Sequence, residues 1–233
     1  MCKSEAREAI VKKLEPLAGG VLPWFSLATM VAALAMVFLY APTERTQGIV
    51  QRIFYFHLSC ALMAFLGFVV VAVAGGFYLR RGERLTDHVA RAAAEVGMVF
   101  CTLVLITGPI WARPIWGVWW TWDPRLTMTL ILWTIYAAYV LLRLLGRDSD
   151  AVARYAAVLG IVGALDIPVI YVSVRLWRGI HPNVKSMDPA MAATLMVCSV
   201  AFLVTGLWMF WMRLQSLVLE DEVASVRQRL FTV

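Results

Sequence analysis

Charge is scarce in this chain and unevenly placed. Only 15% of its 233 residues are Asp, Glu, Lys or Arg, and they fall in clusters separated by uncharged runs. A soluble domain carries roughly a quarter charged residues, so a surface wetted on all sides is excluded. Cysteine is sparse as well: Cys2, Cys60, Cys101 and Cys198 show no CxxC or CxxCH spacing. That pattern supports neither a disulfide framework, nor a zinc site, nor thioether attachment of a cofactor. No Walker motif occurs, which excludes P-loop nucleotide hydrolysis in this chain. A basic stripe is also missing, so nothing supports nucleic-acid binding. Residues 1 to 20 mix Lys3, Arg7, Lys12 and Lys13 with acids. They lack the apolar core and small-residue cleavage site of a signal peptide, and the first apolar run is expected to act as signal anchor.

What the chain has is apolar length. Hydrophobic residues make up 61% of it, and its mean hydropathy is +0.76. A hydrocarbon core of about 30 Å needs ~20 apolar residues per helix, and six runs meet that need: 22 to 40, 53 to 79, 93 to 110, 127 to 145, 153 to 174 and 190 to 212. The expected fold is all-α, a polytopic membrane protein with six transmembrane helices in one bundle, and residues 1–233 form a single transmembrane domain. Asp123-Pro124 and Asp188-Pro189 each place a capping carboxylate before a proline at the first helical position, opening spans four and six. Span two is longer than a bilayer requires, so its first turns, Gln51 to His57, project toward the head groups.

Lys and Arg set the orientation. Four precede the first run, four lie in 80 to 91, three in 143 to 154 and three after 212, so fourteen of the 21 share one side and seven the other. The positive-inside rule then puts both termini in the cytoplasm and turns the segments around 41 to 52, 111 to 126 and 175 to 189 outward.

One outward segment stands apart. WARPIWGVWWTWDPRLT, Trp111 to Thr127, holds five of the ten tryptophans within twelve residues and reads as a loop at about 111–126. Neighbouring helical residues face different directions, so a run this dense is poorly explained as an interfacial belt. That ordinary explanation suffices for Trp24, Trp208 and Trp211. Of the three histidines, His57 and His181 lie near the outer ends of their segments, while His88 falls in a charged inner loop and is expected to be solvated. Paired neutral imidazoles suit the axial positions of a haem iron, aromatic walls suit its ring, and cations suit its propionates. Arg45, Arg52, Arg113, Arg125, Arg175, Arg178 and Lys185 supply the cations. Arg52 stands about 7.5 Å along a helix from His57, and Arg125 begins span four, where free amides also attract an anion.

WGVWWTWDPRLT, Trp116 to Thr127, resembles the WWD signature of the haem-handling proteins of cytochrome c maturation. Six spans, one such loop between spans three and four, and one histidine in each flanking outer segment resemble the short branch of that superfamily, the cytochrome c maturation protein C family. The resemblance implies that His57 and His181 ligate one non-covalent b-type haem. It makes Trp116, Trp119, Trp120, Trp122 and Asp123 the platform, with Arg52 and Arg125 near the propionates. It also implies a site facing the periplasm of a bacterial inner membrane, and delivery of haem to a periplasmic haem chaperone. ABC transporter subunits and a small single-span accessory subunit would be partners, and no reaction would be catalysed in this chain.

Other readings remain beside it. A cytochrome b electron-transfer subunit would hold its ligands within the spans, and a secondary transporter would show inverted repeats with broken helices at the midplane. Met63, Met98 and Met128 read as packing residues. Glu95 is placed to reach the inner interface or pair with an arginine. Asp166, two residues before Pro168 inside span five, reads as a hydrogen-bonding partner for the backbone freed by the proline.

Overall fold

In a computed structural model, residues 17–146, 149–176 and 187–231 are described. Among them the chain is helical, with α1 at Leu22–Ala35, α2 at Ile53–Arg81, α3 at Arg84–Trp116 and α4 at Pro124–Leu145. Then come α5 at Asp150–Ala164, α6 at Asp166–Leu176 and α7 at Pro189–Phe231. Six helical stretches are long and apolar enough to cross a membrane, Gly19–Tyr40, Ile49–Arg81, Arg84–Trp116, Pro124–Leu145, Asp150–Ser173 and Pro189–Leu230. All six expected spans are there, and two are longer than expected. Helix α3 begins at Arg84, inside the stretch read as a loop, and α7 runs on through the residues read as a tail. At 1.5 Å per residue, the 43 residues of α7 extend about 64 Å, roughly twice the hydrocarbon thickness.

The helix boundaries follow local chemistry. The Asp123 carboxylate accepts the Arg125 N–H at 2.9 Å with Pro124 in the first turn, and Asp188 Oδ1 accepts the Ala190 N–H at 2.8 Å. Both caps read from the sequence therefore form. Gly48, with φ +63°, ends the first connection before a short 3-10 turn, Ile49–Arg52, leads into α2. Span five is two helices, α5 and α6, interrupted at Leu165 just ahead of Asp166 and Pro168.

Helix α2 is the axis of the bundle and packs on α3, α5 and α7. With lipid outside, association depends on close backbone approach at small residues. At Gly67 a Cβ would stand 3.1 Å from both the Ala93 carbonyl oxygen and the Gly97 Cα, so α2 and α3 meet at a glycine pair. Tyr136 of α4 stacks on Phe68 of α2 with centroids 3.6 Å apart, and its hydroxyl donates to the Gly160 carbonyl of α5 at 2.8 Å. One aromatic side chain thus ties three helices.

The end of the bundle opposite the tryptophans is held by charge. Arg143 of α4 binds Asp87 of α3 at 2.5 Å, Arg91 binds Glu95 at 3.0 Å, and Arg213 of α7 reaches Glu95 as well. Glu95 thus pairs with arginines, as the sequence reading allowed. His88 is not solvated: it is buried on α3, with Nε2 3.2 Å from Asp221 of α7. The reason is that α3 and α7 both continue past the apolar spans and pack there.

Candidate haem site at the tryptophan end

The tryptophan segment is only partly a loop. Helix α3 continues through Trp111 to Trp116 despite Pro109 and Pro114, and the irregular stretch is 117–123. The loop expected at about 111–126 is shorter because a membrane helix tolerates proline where neighbours satisfy the freed carbonyls. Gly117 makes the exit. Its φ of +76° is left-handed, its N–H donates to the Arg113 carbonyl at 3.0 Å, and the Arg113 guanidinium returns to the Gly117 carbonyl. The chain then runs to the Asp123 cap, so two helix ends pin a seven-residue aromatic bridge.

His57 sits on the second turn of α2 and faces this bridge. Its Nδ1 is 2.9 Å from Thr107 Oγ1 on α3, and the Trp111 ring meets it edge-on at 5.8 Å. His57, Trp111, Trp116, Trp119 and Trp120 line one cleft together with Leu126 of α4. The interior of that cleft holds about 10 Å³, room for roughly one water. A macrocycle does not fit inside it, so a flat ligand reaches His57 only by lying over the cleft mouth or by parting the bridge.

Two indoles of the bridge are exposed. Trp119 is 59% and Trp122 75% exposed, an unfavourable state in water for two large indoles. Trp120 and Trp122 stand edge to face at 5.9 Å. Asp123 is buried, and its capping of α4 positions the bridge's far end.

The expected cations divide. Arg125 lies on the first turn of α4, beside the cleft residue Leu126, and its Nε is buried without a hydrogen-bond partner. Arg52 also keeps a buried, unpartnered Nε, but its guanidinium carbon lies 5.8 Å from the Phe38 ring centroid. Five helical residues turn a side chain by about 140°, so Arg52 leaves the helix toward a different neighbour from His57. Thr121 Oγ1 and Thr127 Oγ1 are buried without partners as well. An orphaned buried polar atom costs about 1–3 kcal/mol, and an arriving carboxylate is the kind of group that relieves it.

The second histidine of the sequence reading, His181, lies outside the described residues, as do Arg178 and Lys185. Residues missed in the sequence reading are Thr107, which holds the His57 ring, and Gln47, whose Oε1 accepts the Trp111 indole N–H at 3.2 Å. Helical spacing alone held a signal for Thr107, since it lies one turn before Trp111. Gln47 is in turn placed by a tight turn in which Glu44 accepts the N–H groups of Thr46 and Gln47. Those bonds, the Gln47 N–H first, hold the Glu44 carboxyl below the ordinary carboxylate range.

The profile of the family described as Heme exporter protein C matches residues 6–229. Heme exporter protein C of Escherichia coli (strain K12) is 31% identical over 226 residues, covering 94% of this chain and 92% of the relative. The Bradyrhizobium diazoefficiens protein of the same name is 33% identical over 222 residues, 91% of this chain and 84% of the relative. That of Paracoccus denitrificans is 36% identical over 176 residues, 73% of each.

Proposed function

This chain belongs to the Heme exporter protein C family, and on that premise we propose that it handles haem for cytochrome c maturation, holding b-type haem at its tryptophan end and passing it on. The carrying observation is His57, fixed between Thr107 and Trp111 and set in a cleft walled by Trp116, Trp119 and Trp120. His57 and His181 would ligate the iron, Trp116, Trp119, Trp120 and Trp122 would form the platform, and Arg125 and then Arg52 would meet the propionates. Asp123 shapes the bridge by capping α4.

The mechanism is binding and release, with no bond of the porphyrin made or broken by this chain. The exposed indoles Trp119 and Trp122 gain an apolar partner when the ring covers them. The orphaned Arg125 Nε gains an acceptor. Because His57 stands at the tryptophan end and not midway along the spans, a ligand held there would be within reach of a receiving partner without opening the bundle. That distinguishes delivery from electron transfer, which needs both ligands locked within the spans.

The site faces the periplasm of a bacterial inner membrane, as the Lys and Arg balance supports, and one transmembrane domain presents it. The receiving partner is a periplasmic haem chaperone, and ABC transporter subunits with a small single-span subunit complete an exporter assembly, in keeping with the relatives' printed name. Nucleotide hydrolysis belongs to those partners.

The test is the absorption and pyridine haemochrome spectrum of the detergent-purified protein beside a His57→Ala/His181→Ala variant, each produced with and without the chaperone. A six-coordinate b-type spectrum lost in the variant is the expected result. Unchanged haem in the variant overturns the ligand assignment.

A further inference from the structure

We propose that Thr107 is the positioning residue that selects the His57 tautomer, keeping the hydrogen on Nδ1 and the lone pair on Nε2. The inference rests on the reading of His57 as an iron ligand for its consequence, but not for its geometry.

A threonine hydroxyl has one hydrogen and two acceptor lone pairs. The Thr107 hydroxyl donates to the Leu103 carbonyl one turn back, at 2.7 Å, with the Val104 carbonyl at 3.4 Å as a further acceptor. Its single hydrogen is therefore committed to its own helix. Toward His57 Nδ1, 2.9 Å away, Oγ1 has only lone pairs to offer. The hydrogen in that contact belongs to the imidazole, and a neutral imidazole with Nδ1–H carries its ligating lone pair on Nε2.

Helix α3 grips the ring at two successive turns. Thr107 fixes the ring nitrogen, and Trp111, four residues on, meets the ring edge-on at 5.8 Å. Both residues stand on the helix that leads directly into the tryptophan bridge. The element that builds the platform thus also sets which nitrogen is offered to iron. Such outer partners of ligating histidines orient the ring and raise its basicity, and their loss costs about 10–100-fold in metal affinity. A ligand that must later be given up benefits from this arrangement: the ring stays oriented through loss and recapture of haem, because the Thr107 contact needs no metal.

The test begins without haem. Nitrogen-15 NMR of histidine-labelled, haem-free protein in detergent distinguishes a nitrogen bearing hydrogen from one bearing a lone pair, and with three histidines in the chain a His57→Gln variant assigns the signal. The wild type is expected to show lone-pair character at Nε2. Thr107→Val, which keeps the shape and removes the hydroxyl, is expected to give a mixture of tautomers. On haem binding it is expected to raise Kd at least about tenfold and to move the haem midpoint potential upward, since the imidazole donates less electron density. Thr107→Ser, which retains the hydroxyl, should restore all three. A Thr107→Val protein with wild-type tautomer, Kd and potential overturns the inference. Separately, a His57→Ala protein that keeps its six-coordinate spectrum overturns the ligand reading, while the haem-free NMR still decides whether Thr107 sets the tautomer.

Discussion

Among the described residues at the end of the bundle around Asp87, each buried arginine meets a carboxylate. Arg143 meets Asp87, Arg91 meets Glu95, and Asp221 meets both Arg84 and His88. At the tryptophan end the Asp123 carboxylate two residues back favours the Arg125 charge, Arg52 lies over the Phe38 ring, and two indoles lie bare. One end has its charges matched within the chain and serves to fasten helices that run past the membrane. Unpartnered buried guanidinium nitrogens occur at both ends, Arg91 Nη2 with Arg143 Nε and Nη1 at the first and the Nε atoms of Arg52 and Arg125 at the second, so what sets the tryptophan end apart is its bare indole surface.

The largest effect expected of a single change is at the fastened end. Arg143→Met leaves Asp87 buried without its partner, a loss of about 3–5 kcal/mol, seen as a lowered Tm in detergent. The double variant Asp87→Leu/Arg143→Met should recover most of it. If the single variant is as stable as the wild type, the pair is not what ties α3 to α4.

At the tryptophan end the pattern should invert. Trp119→Ala/Trp122→Ala is expected to reduce haem retention by more than tenfold while stability stays within about 0.5 kcal/mol, because both side chains are exposed. A Tm collapse, or haem retained in full, would erase the contrast between the ends. Asp123→Ala removes a helix cap and should cost about 1 kcal/mol. It should also weaken haem binding through the displaced bridge, to be read by unfolding and haem titration on the same preparation.

The smallest effect concerns the Glu44 turn that positions Gln47 against Trp111. Glu44 is a carboxyl whose folded-state value is depressed, so its contribution is present above the ordinary carboxylate range and disappears as pH falls through the lower folded value. The protection factor of the Gln47 amide, its exchange rate normalised to the intrinsic rate at each pH, should fall once pH drops below that range, and Glu44→Gln should abolish the dependence. A pH-independent exchange protection at Gln47 would mean the turn is held by something else.

Much of this was legible in the residues. The six spans, the two Asp-Pro caps, the aromatic bridge and the pairing of Glu95 with arginine follow from hydropathy, capping chemistry and charge, which act locally along the chain. The misreadings share one physical cause. Arg84 to Val89 and the stretch after Arg213 look like loops because they are charged, yet they are helical since α3 and α7 neutralise each other there. His88 looked solvated for the same reason. The tryptophan segment looked like a loop throughout because it lies between two apolar runs and is too dense in indoles for one helix face, whereas α3 runs on through Trp116.

The sequence by itself determined that this is a six-span bundle with an aromatic bridge between spans three and four, because hydrophobic length and capping are read one helix at a time. Only the tertiary structure decided that Thr107 and Trp111 hold His57, that Arg52 turns toward Phe38, and that Gly67 meets Gly97. Those facts depend on the rotation of each helix about its own axis, and rotation is set by packing against neighbours far away in the chain.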